Sequence, residues 1–426
     1  MSTTAAPAGR PDQAGNGARR WPPAIWTLMV GTFLVRALGF TYPFLPYHLD
    51  AQDLNTRAVS TGLAFFGTGW LMGSLLCGWL ADKIGHRATL TAALLLAAAG
   101  LPLLAQAHTV PAIFAASFIA GTVYDAPRPV VTAAIAHTFS DDGARANANA
   151  WRNFSVNCGA AVAGTVGGIL ADLLGIPALI WINATACALV ALLSWRLLPV
   201  TANPAHPTAS HDRKTVLHDH SLWLLLTASL CALTCAASLF STMPMLMAND
   251  GLTAADYGWA QSANAGAVLL LSPPLNHWLR ARANQGRSMT ALFAASSLLL
   301  GASMGAAAFA STTPGYAAAA ALAVPGEVVV FTAASDLLNR ISPPSARGLY
   351  AGIWGTTLAG AIIVAPALAG WALTHGGDRL AAATLFTVGS FGAALVWPLA
   401  MLIRRTSPHR AALGQGTAGR LSFLRR

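Results

Sequence analysis

Of the 426 residues, 55% are hydrophobic and only 9% are charged, and the mean hydropathy is +0.55. Soluble domains carry about 25% charged residues, so this composition excludes a soluble globular domain of the same length. It points instead to an all-α integral membrane protein, in which abundant glycine and alanine allow close helix contacts and proline is tolerated.

The chain opens on a polar stretch, 1–21, that lacks the apolar core of a signal peptide and reads as a cytoplasmic N-terminal tail. A membrane span needs about 20 mostly apolar residues. Twelve segments qualify: 22–47, 59–81, 88–107, 109–137, 152–172, 175–198, 222–247, 257–279, 288–310, 316–338, 349–373 and 381–403. The fourth and tenth contain charges, and the eighth contains Ser272-Pro273-Pro274. The spacing predicts two six-helix bundles, 22–198 and 222–403, related by a pseudo-two-fold axis along the membrane normal. Between them lies a polar central cytoplasmic loop, 199–221, and after them a basic cytoplasmic C-terminal tail, 404–426.

With both termini in the cytoplasm, 21 of the 25 lysines and arginines fall on that side; only Arg57 and Arg379 lie outside, and Arg36 and Arg128 lie within spans. The net charge of +10 is thereby explained by topology and by attraction to anionic lipids at the cytoplasmic face, with no nucleic-acid partner required. The five cysteines, Cys77, Cys158, Cys187, Cys231 and Cys235, all fall in apolar segments, which suggests neither a disulfide framework nor a metal site. No cofactor motif and no catalytic constellation stands out. His48, His108 and His375 lie apart at loop edges.

Ionisable groups inside spans are costly and usually face the bundle interior or a watery path. Arg36 sits in the middle of span one, too deep to snorkel, as a cavity cation or as half of an interhelical ion pair. Around it Phe40, Tyr42, Phe44 and Tyr47, with Tyr124 of span four, could line a pocket for an amphipathic solute or pack against neighbouring helices. Asp125 and Arg128 are three residues apart on one face of span four, flanked by Pro127 and Pro129, which are expected to bend that helix. They pair either as part of the transport site or as a structural couple. Glu327, the only glutamate, lies mid-span behind Pro325-Gly326; burial there disfavours its charged form, which makes it a candidate proton carrier, or a protonated acid bonded to a neighbouring span. Asp336 and Arg340 share a face nearer the cytoplasmic end of span ten and belong either to an inner gate or simply to the interface.

An internal repeat accompanies these residues. At an offset of 202, Ala163–Gly168 falls on Ala365–Gly370, Arg145 on Arg347 and Asp125 on Glu327. The loop between spans two and three reads Gly78-Trp-Leu-Ala-Asp-Lys-Ile-Gly-His-Arg87. Gly78 would allow close helix contact and Gly85 a tight turn, while Asp82 could cap a helix or pair across the cytoplasmic face.

This loop resembles the G-x-L-A-D-x-x-G-x-R signature of the major facilitator superfamily, with Gly78, Leu80, Ala81, Asp82, Gly85 and Arg87 all in place. Within that superfamily the chain looks most like the twelve-span drug:proton antiporter branch, through PFLPYHL in span one and the stretch from Gly121 to Pro129, Arg145, Asn157 and the span-five glycines. Ser117 stands where the span-four signature has an arginine, and Gly164 where the span-five signature has a proline. The resemblance implies that Asp82 makes an interhelical contact stabilising an outward-open state. It also implies a monomeric secondary transporter of the cell membrane, working by alternating access on a small organic, amphipathic or drug-like solute, with proton-coupled export; the composition, rich in alanine, glycine and arginine and poor in lysine, fits a bacterium. The alternatives are a proton-linked or facilitative transporter of one metabolite, such as a sugar or peptide-like product, and a transport-inactive sensor or scaffold.

Overall fold

The computed structural model describes residues 21–124, 128–138, 142–199, 216, 218–343 and 346–423, with only the backbone described at 129, 136–137, 142–143, 146 and 404–423. The helices are α1 (Pro23–Ala37), α2 (Thr41–Asp50), α3 (Thr56–Ile84), α4 (His86–Ala105), α5 (Val110–Tyr124), α6 (Arg128–Thr138), α7 (Asp142–Leu174) and α8 (Ile176–Leu197). There follow α9 (His220–Ala237), a 3-10 turn at Ser238–Phe240, α10 (Thr242–Asn249), α11 (Ala254–Asn284), α12 (Thr290–Ala307), α13 (Thr313–Ile341) and α14 (Arg347–Phe423).

Among the described residues, nine helical segments are long and apolar enough to cross a membrane, counting α1 with α2 and α9 with α10 as single passes. One of these, Arg347–Ile403, is 57 residues long and breaks at Gly377 (φ 62°), so it makes two crossings. The pair α5 and α6, together with the 31-residue α11, completes a twelve-span, all-α membrane fold.

Several expectations change in detail. Span one is not continuous: α1 ends at Ala37 and α2 begins at Thr41. Span seven breaks in the corresponding place, at Ser238–Phe240. Discontinuous helices at matching positions in two halves are a recurring feature of transporter folds. Span eight runs straight through Pro273 and Pro274 as one helix. Span five begins ten residues before the expected 152, so Arg145 lies in helix rather than loop. Asp125 and Pro127, and with Pro127 the expected bend of span four, lie outside the described residues, as do most of the N-terminal tail and central loop. His48 is not at a loop edge but buried in the last turn of α2, its Nε2 3.2 Å from the Leu104 carbonyl oxygen.

Local sequence sets the helix ends. The Asn55 side chain accepts from the Ala58 amide at 2.9 Å, and Thr253 with Asp256 forms a reciprocal capping box at the start of α11. Gly85, at φ 83°, turns the chain from α3 into α4 with no further loop, as the tight turn at that position requires.

Glycines also set the helix crossings. A Cβ on Gly69 or Gly73 of α3 would strike the backbone carbonyls of Phe118 and Thr122 on α5, and one on Gly121 would strike that of Phe66. Backbone cannot turn aside as a side chain can, so this crossing depends on glycine. The close contact expected at Gly78 is not there: a Cβ at Gly78 would meet nothing within 4 Å. The approach lies further up the same helix.

The two bundles meet along α7 against α11 and α3 against α14. The repeated glycine segments hold both seams. A Cβ at Gly164 would come 2.8 Å from the Gly258 carbonyl oxygen, and one at Gly168 would come 2.9 Å from Ala255 Cα. Thr165 and Ser262 hydroxyls bond at 2.7 Å across the same seam. In the other seam Gly370 faces Ser60, and a Cβ on Gly67 would come 2.9 Å from the Ile362 carbonyl oxygen. These contacts lie toward the end that carries Asn55 and Thr253. Toward the other end, which carries Gly85, added Cβ atoms at Gly266, Gly352 and Gly355 would meet nothing within 4 Å. The bundles close at one end and part at the other.

Candidate solute-binding cavity

Both helix breaks open onto one cavity of about 270 Å³ between the bundles, with Gly39 on one side and Phe240 on the other. Its N-terminal wall carries Arg36, Arg128, Tyr42, Trp70 and Tyr124. Its C-terminal wall carries Glu327, Gln261, Phe331 and Leu358.

The cations are held by aromatic neighbours. Arg36 donates from Nη1 to the Tyr124 hydroxyl at 3.2 Å, and Tyr124 in turn donates to the Gly39 carbonyl oxygen at 3.4 Å. Pro43, four residues on, has no N–H to offer that carbonyl, which leaves it available to the Tyr124 hydroxyl. The Arg128 guanidinium lies 5.8 Å from the Trp70 ring centre, within range of a cation–π attraction. Tyr42 is the hub of an aromatic group: it stacks on Phe66 at 5.1 Å and meets Trp70 at 5.5 Å, Tyr124 at 5.7 Å and Phe240 at 5.4 Å. Phe240 comes from the opposite bundle, so the cluster bridges the halves.

Across the cavity, Glu327 Oε1 accepts from Asn264 Nδ2 at 3.4 Å, and the same amide donates to the Ala320 carbonyl oxygen at 3.0 Å. Asn264 thereby fixes the carboxylate from the adjacent helix. Gln261, one turn before Asn264 on α11, is 3% exposed. The cavity thus has two guanidinium groups on one wall, a carboxylate on the other, and aromatic faces between. Such a surface can hold a small solute with a carboxylate and an amine, and the carboxylate side chain can take up or release a proton.

Of the residues singled out in the sequence, Arg36, Arg128, Glu327, Tyr42 and Tyr124 meet at this cavity. Phe40, Phe44 and Tyr47 do not. Phe40 and Phe44 are fully buried against span five, where a Cβ at Gly167 would lie 2.6 Å from each ring. Tyr47 packs 6.0 Å from the Tyr257 ring. The bend after α1 rotates this stretch so that one tyrosine faces the cavity while its neighbours fill the bundle. Asp336 and Arg340 pair at 2.7 Å away from the cavity, and Arg340 reaches the Arg287 carbonyl oxygen at 3.3 Å. Gly78, Asp82, Gly85 and Arg87 lie at the parted end; Asp82 is exposed, and Arg87 sits 4.5 Å over the Trp195 ring. Trp70, Phe66, Phe240, Gln261 and Asn264 were not singled out beforehand. Two amide side chains three residues apart inside an apolar span were the available signal for Gln261 and Asn264.

Helical bundles that meet around a cavity carrying buried charges, with a broken helix at matching positions on either side, have the architecture of a secondary active membrane transporter. The sequence matches the Major Facilitator Superfamily over residues 26–253 and 225–425, and the chain belongs to that superfamily. No curated protein matches it in sequence. Solved structures overlay nearly all of it. A peptide transporter POT in complex with sulfate is 16% identical, with a TM-score of 0.73, over 91% of this chain and 96% of that one. A POT family transporter in complex with 5-aminolevulinic acid is 13% identical, with a TM-score of 0.76, over 92% and 98%. Another, in complex with a thioalcohol-conjugated peptide, is 13% identical, with a TM-score of 0.73, over 90% and 96%. The resemblance to the drug:proton antiporter branch is corrected by these matches: the family match is to the superfamily as a whole, and these three structures are of POT transporters.

Proposed function

We propose that this chain carries a small peptide-like solute, bearing both an amine and a carboxylate, across the membrane by alternating access coupled to protons. The observation that carries this reading is the opposition of Arg36 and Arg128 on one cavity wall to Glu327 on the other. Guanidinium groups bind carboxylates through paired hydrogen bonds. Glu327 would receive the amine or, in its absence, a proton. The volume of about 270 Å³ lies near the lower end of ligand pockets, which run from roughly 300 to 1,000 Å³, and suits a solute of one or two residues. 5-Aminolevulinic acid, named as the ligand of one overlaid POT structure, carries both groups.

The other assignments rest on the same reading. The bundles are 22–198 and 222–403, the tails and the 199–221 loop are cytoplasmic, and the chain works as a monomer in a bacterial cell membrane. The parted end is then the cytoplasmic one, and the conformation is inward-open. Asp82, Arg87, Asp336 and Arg340 sit where they would re-form contacts when that end closes.

The test is a thermal-shift panel on purified protein with dipeptides, 5-aminolevulinic acid, and the same compounds blocked at one end. Saturable stabilisation by the zwitterions, lost when either end is blocked, is expected. Equal stabilisation by doubly blocked compounds would overturn the reading.

A further inference from the structure

The seam between α3 and α14 is closed on one side of the solute cavity and split on the other. A Cβ on Gly67 would come 2.9 Å from the Ile362 carbonyl oxygen, but toward the Gly85 end Cβ atoms added at Gly348, Gly352 and Gly355 would meet nothing within 4 Å. The split holds a crevice of about 230 Å³, walled by Leu71 and Leu75 of α3 and by Gly352, Gly355 and Ala359 of α14. It shares Trp70, Arg128 and Leu358 with the solute cavity, so the two spaces adjoin at these side chains.

The mouth of the crevice lies at membrane depth. Leu75 is ten residues before Gly85, or about 15 Å along the axis at 1.5 Å per residue, which places it inside a hydrocarbon layer about 30 Å thick. The α3 surface beside the mouth is apolar, with Met72, Leu75 and Leu76 each more than half exposed. On the opposite lip, Thr356 donates its hydroxyl to the Ile353 carbonyl oxygen at 2.7 Å, so it needs no partner from a ligand. Glycines on one wall keep the slit open, and leucines on the other offer contact without hydrogen bonds. A hydrocarbon chain suits such a slit. One that reaches its inner end arrives at Trp70, on the edge of the space assigned to the solute's charged ends. Head and tail of a single amphipathic molecule therefore fit the two spaces together.

We propose that the crevice is a tail subsite. The solute is a peptide-like zwitterion with a long hydrocarbon side chain, its charged ends in the cavity and its tail between α3 and α14. This rests on the reading of the solute cavity given above and extends it to the rest of the molecule. The cavity then has no need to enclose the whole solute, in keeping with its volume of about 270 Å³, and the solute enters sideways from the leaflet.

The test compares tritiated alanylalanine with alanyl-2-aminodecanoic acid, which adds a long tail and keeps both charged ends. Equilibrium binding is measured on protein in lipid nanodiscs, with protein-free nanodiscs subtracted. The tailed compound is expected to bind the unaltered protein about tenfold more tightly or better, because each buried methylene favours binding. Gly355→Leu fills the slit, and its Cβ displaces no backbone. It is expected to reduce the tail's advantage to about twofold or less while alanylalanine is unchanged, with Gly355→Ala between. Partition of the tail into the bilayer is the same for all three proteins, so an advantage undiminished in Gly355→Leu would place the tail in bulk lipid and overturn the subsite. Equal weakening of both compounds would also overturn it. So would binding of alanylalanine with no tail preference, the result expected if a membrane lipid's own chain fills the crevice. Binding of neither compound would instead overturn the reading of the solute cavity, and the tail subsite with it.

Discussion

Gly258→Ala isolates the contact that closes one end of the transporter. Gly258 lies in the first turns of α11, and a Cβ there would strike the Gly164 carbonyl oxygen and come within 3.1 Å of Gly168 Cα. Within the helix itself the change is favourable, by about 0.8–1.0 kcal/mol in propensity, so loss of closure cannot be ascribed to a weakened α11. Against the backbone of α7 no rotamer offers relief. Overpacking of this kind costs about 1–3 kcal/mol, and only in the conformation where the two helices touch. A differential of that size shifts a two-state balance by about 5- to 150-fold. Spin labels at the exposed rim positions Ala51 and Asn249, one on each bundle, report the separation. The distance distribution is expected to move to longer values in Gly258→Ala with the fold intact. An unchanged distribution would refute the view that the α7–α11 glycine seam determines closure.

Other expectations follow from single contacts. Thr253→Ala removes the N-cap of α11 and the hydroxyl that reaches Asp172 across the seam at 3.4 Å; a loss of about 1 kcal/mol in unfolding free energy is expected. The Thr313 hydroxyl, 2.6 Å from Asp256, holds that carboxyl below the ordinary carboxylate range, assisted by Thr253. A carboxyl depressed in the folded state stabilises it above the unfolded value near pH 3.9 and loses that contribution as pH falls through the folded value. The unfolding temperature should therefore fall more steeply in that acid window for the unaltered protein than for Asp256→Asn. Arg36→Lys keeps a cation but loses the fork, so carboxylate-bearing solutes should bind roughly tenfold more weakly, about 1.4 kcal/mol, while carboxamide analogues are unaffected in competition assays.

The fold was largely legible because each membrane span must carry its own hydrogen bonds and so announces itself in hydropathy. The Ala163–Gly168 and Ala365–Gly370 repeat, faint as sequence, corresponds to the two seams between bundles. The breaks after Ala37 and Ala237 were only faintly marked: Pro43 and Pro244 stand in the first turn of the helix after each break, but they are two of 24 prolines, and Gly39 is one of 39 glycines in the chain. Phe40, Phe44 and Tyr47 follow the packing alternative, since a bend changes which side chains of the following turn face inward. Arg36, Arg128 and Glu327 were found because a charge in an apolar span is rare. The amides Gln261 and Asn264 carry a weaker signal, and an aromatic such as Trp70 carries none, so only the packing of helices distant in sequence brings it to the cavity. The branch within the superfamily was misread because short phrases such as PFLPYHL reflect shared helix packing as much as shared substrate.

The most direct test of the central claim is Glu327→Gln in proteoliposomes. One unit of pH gradient is worth 1.36 kcal/mol per proton, so the unaltered protein is expected to concentrate a dipeptide up to about tenfold for each coupled proton. Glu327→Gln should still exchange labelled for unlabelled dipeptide, yet bring it only to equal concentrations on both sides. Full gradient-driven accumulation by Glu327→Gln would contradict the assignment of the proton to Glu327.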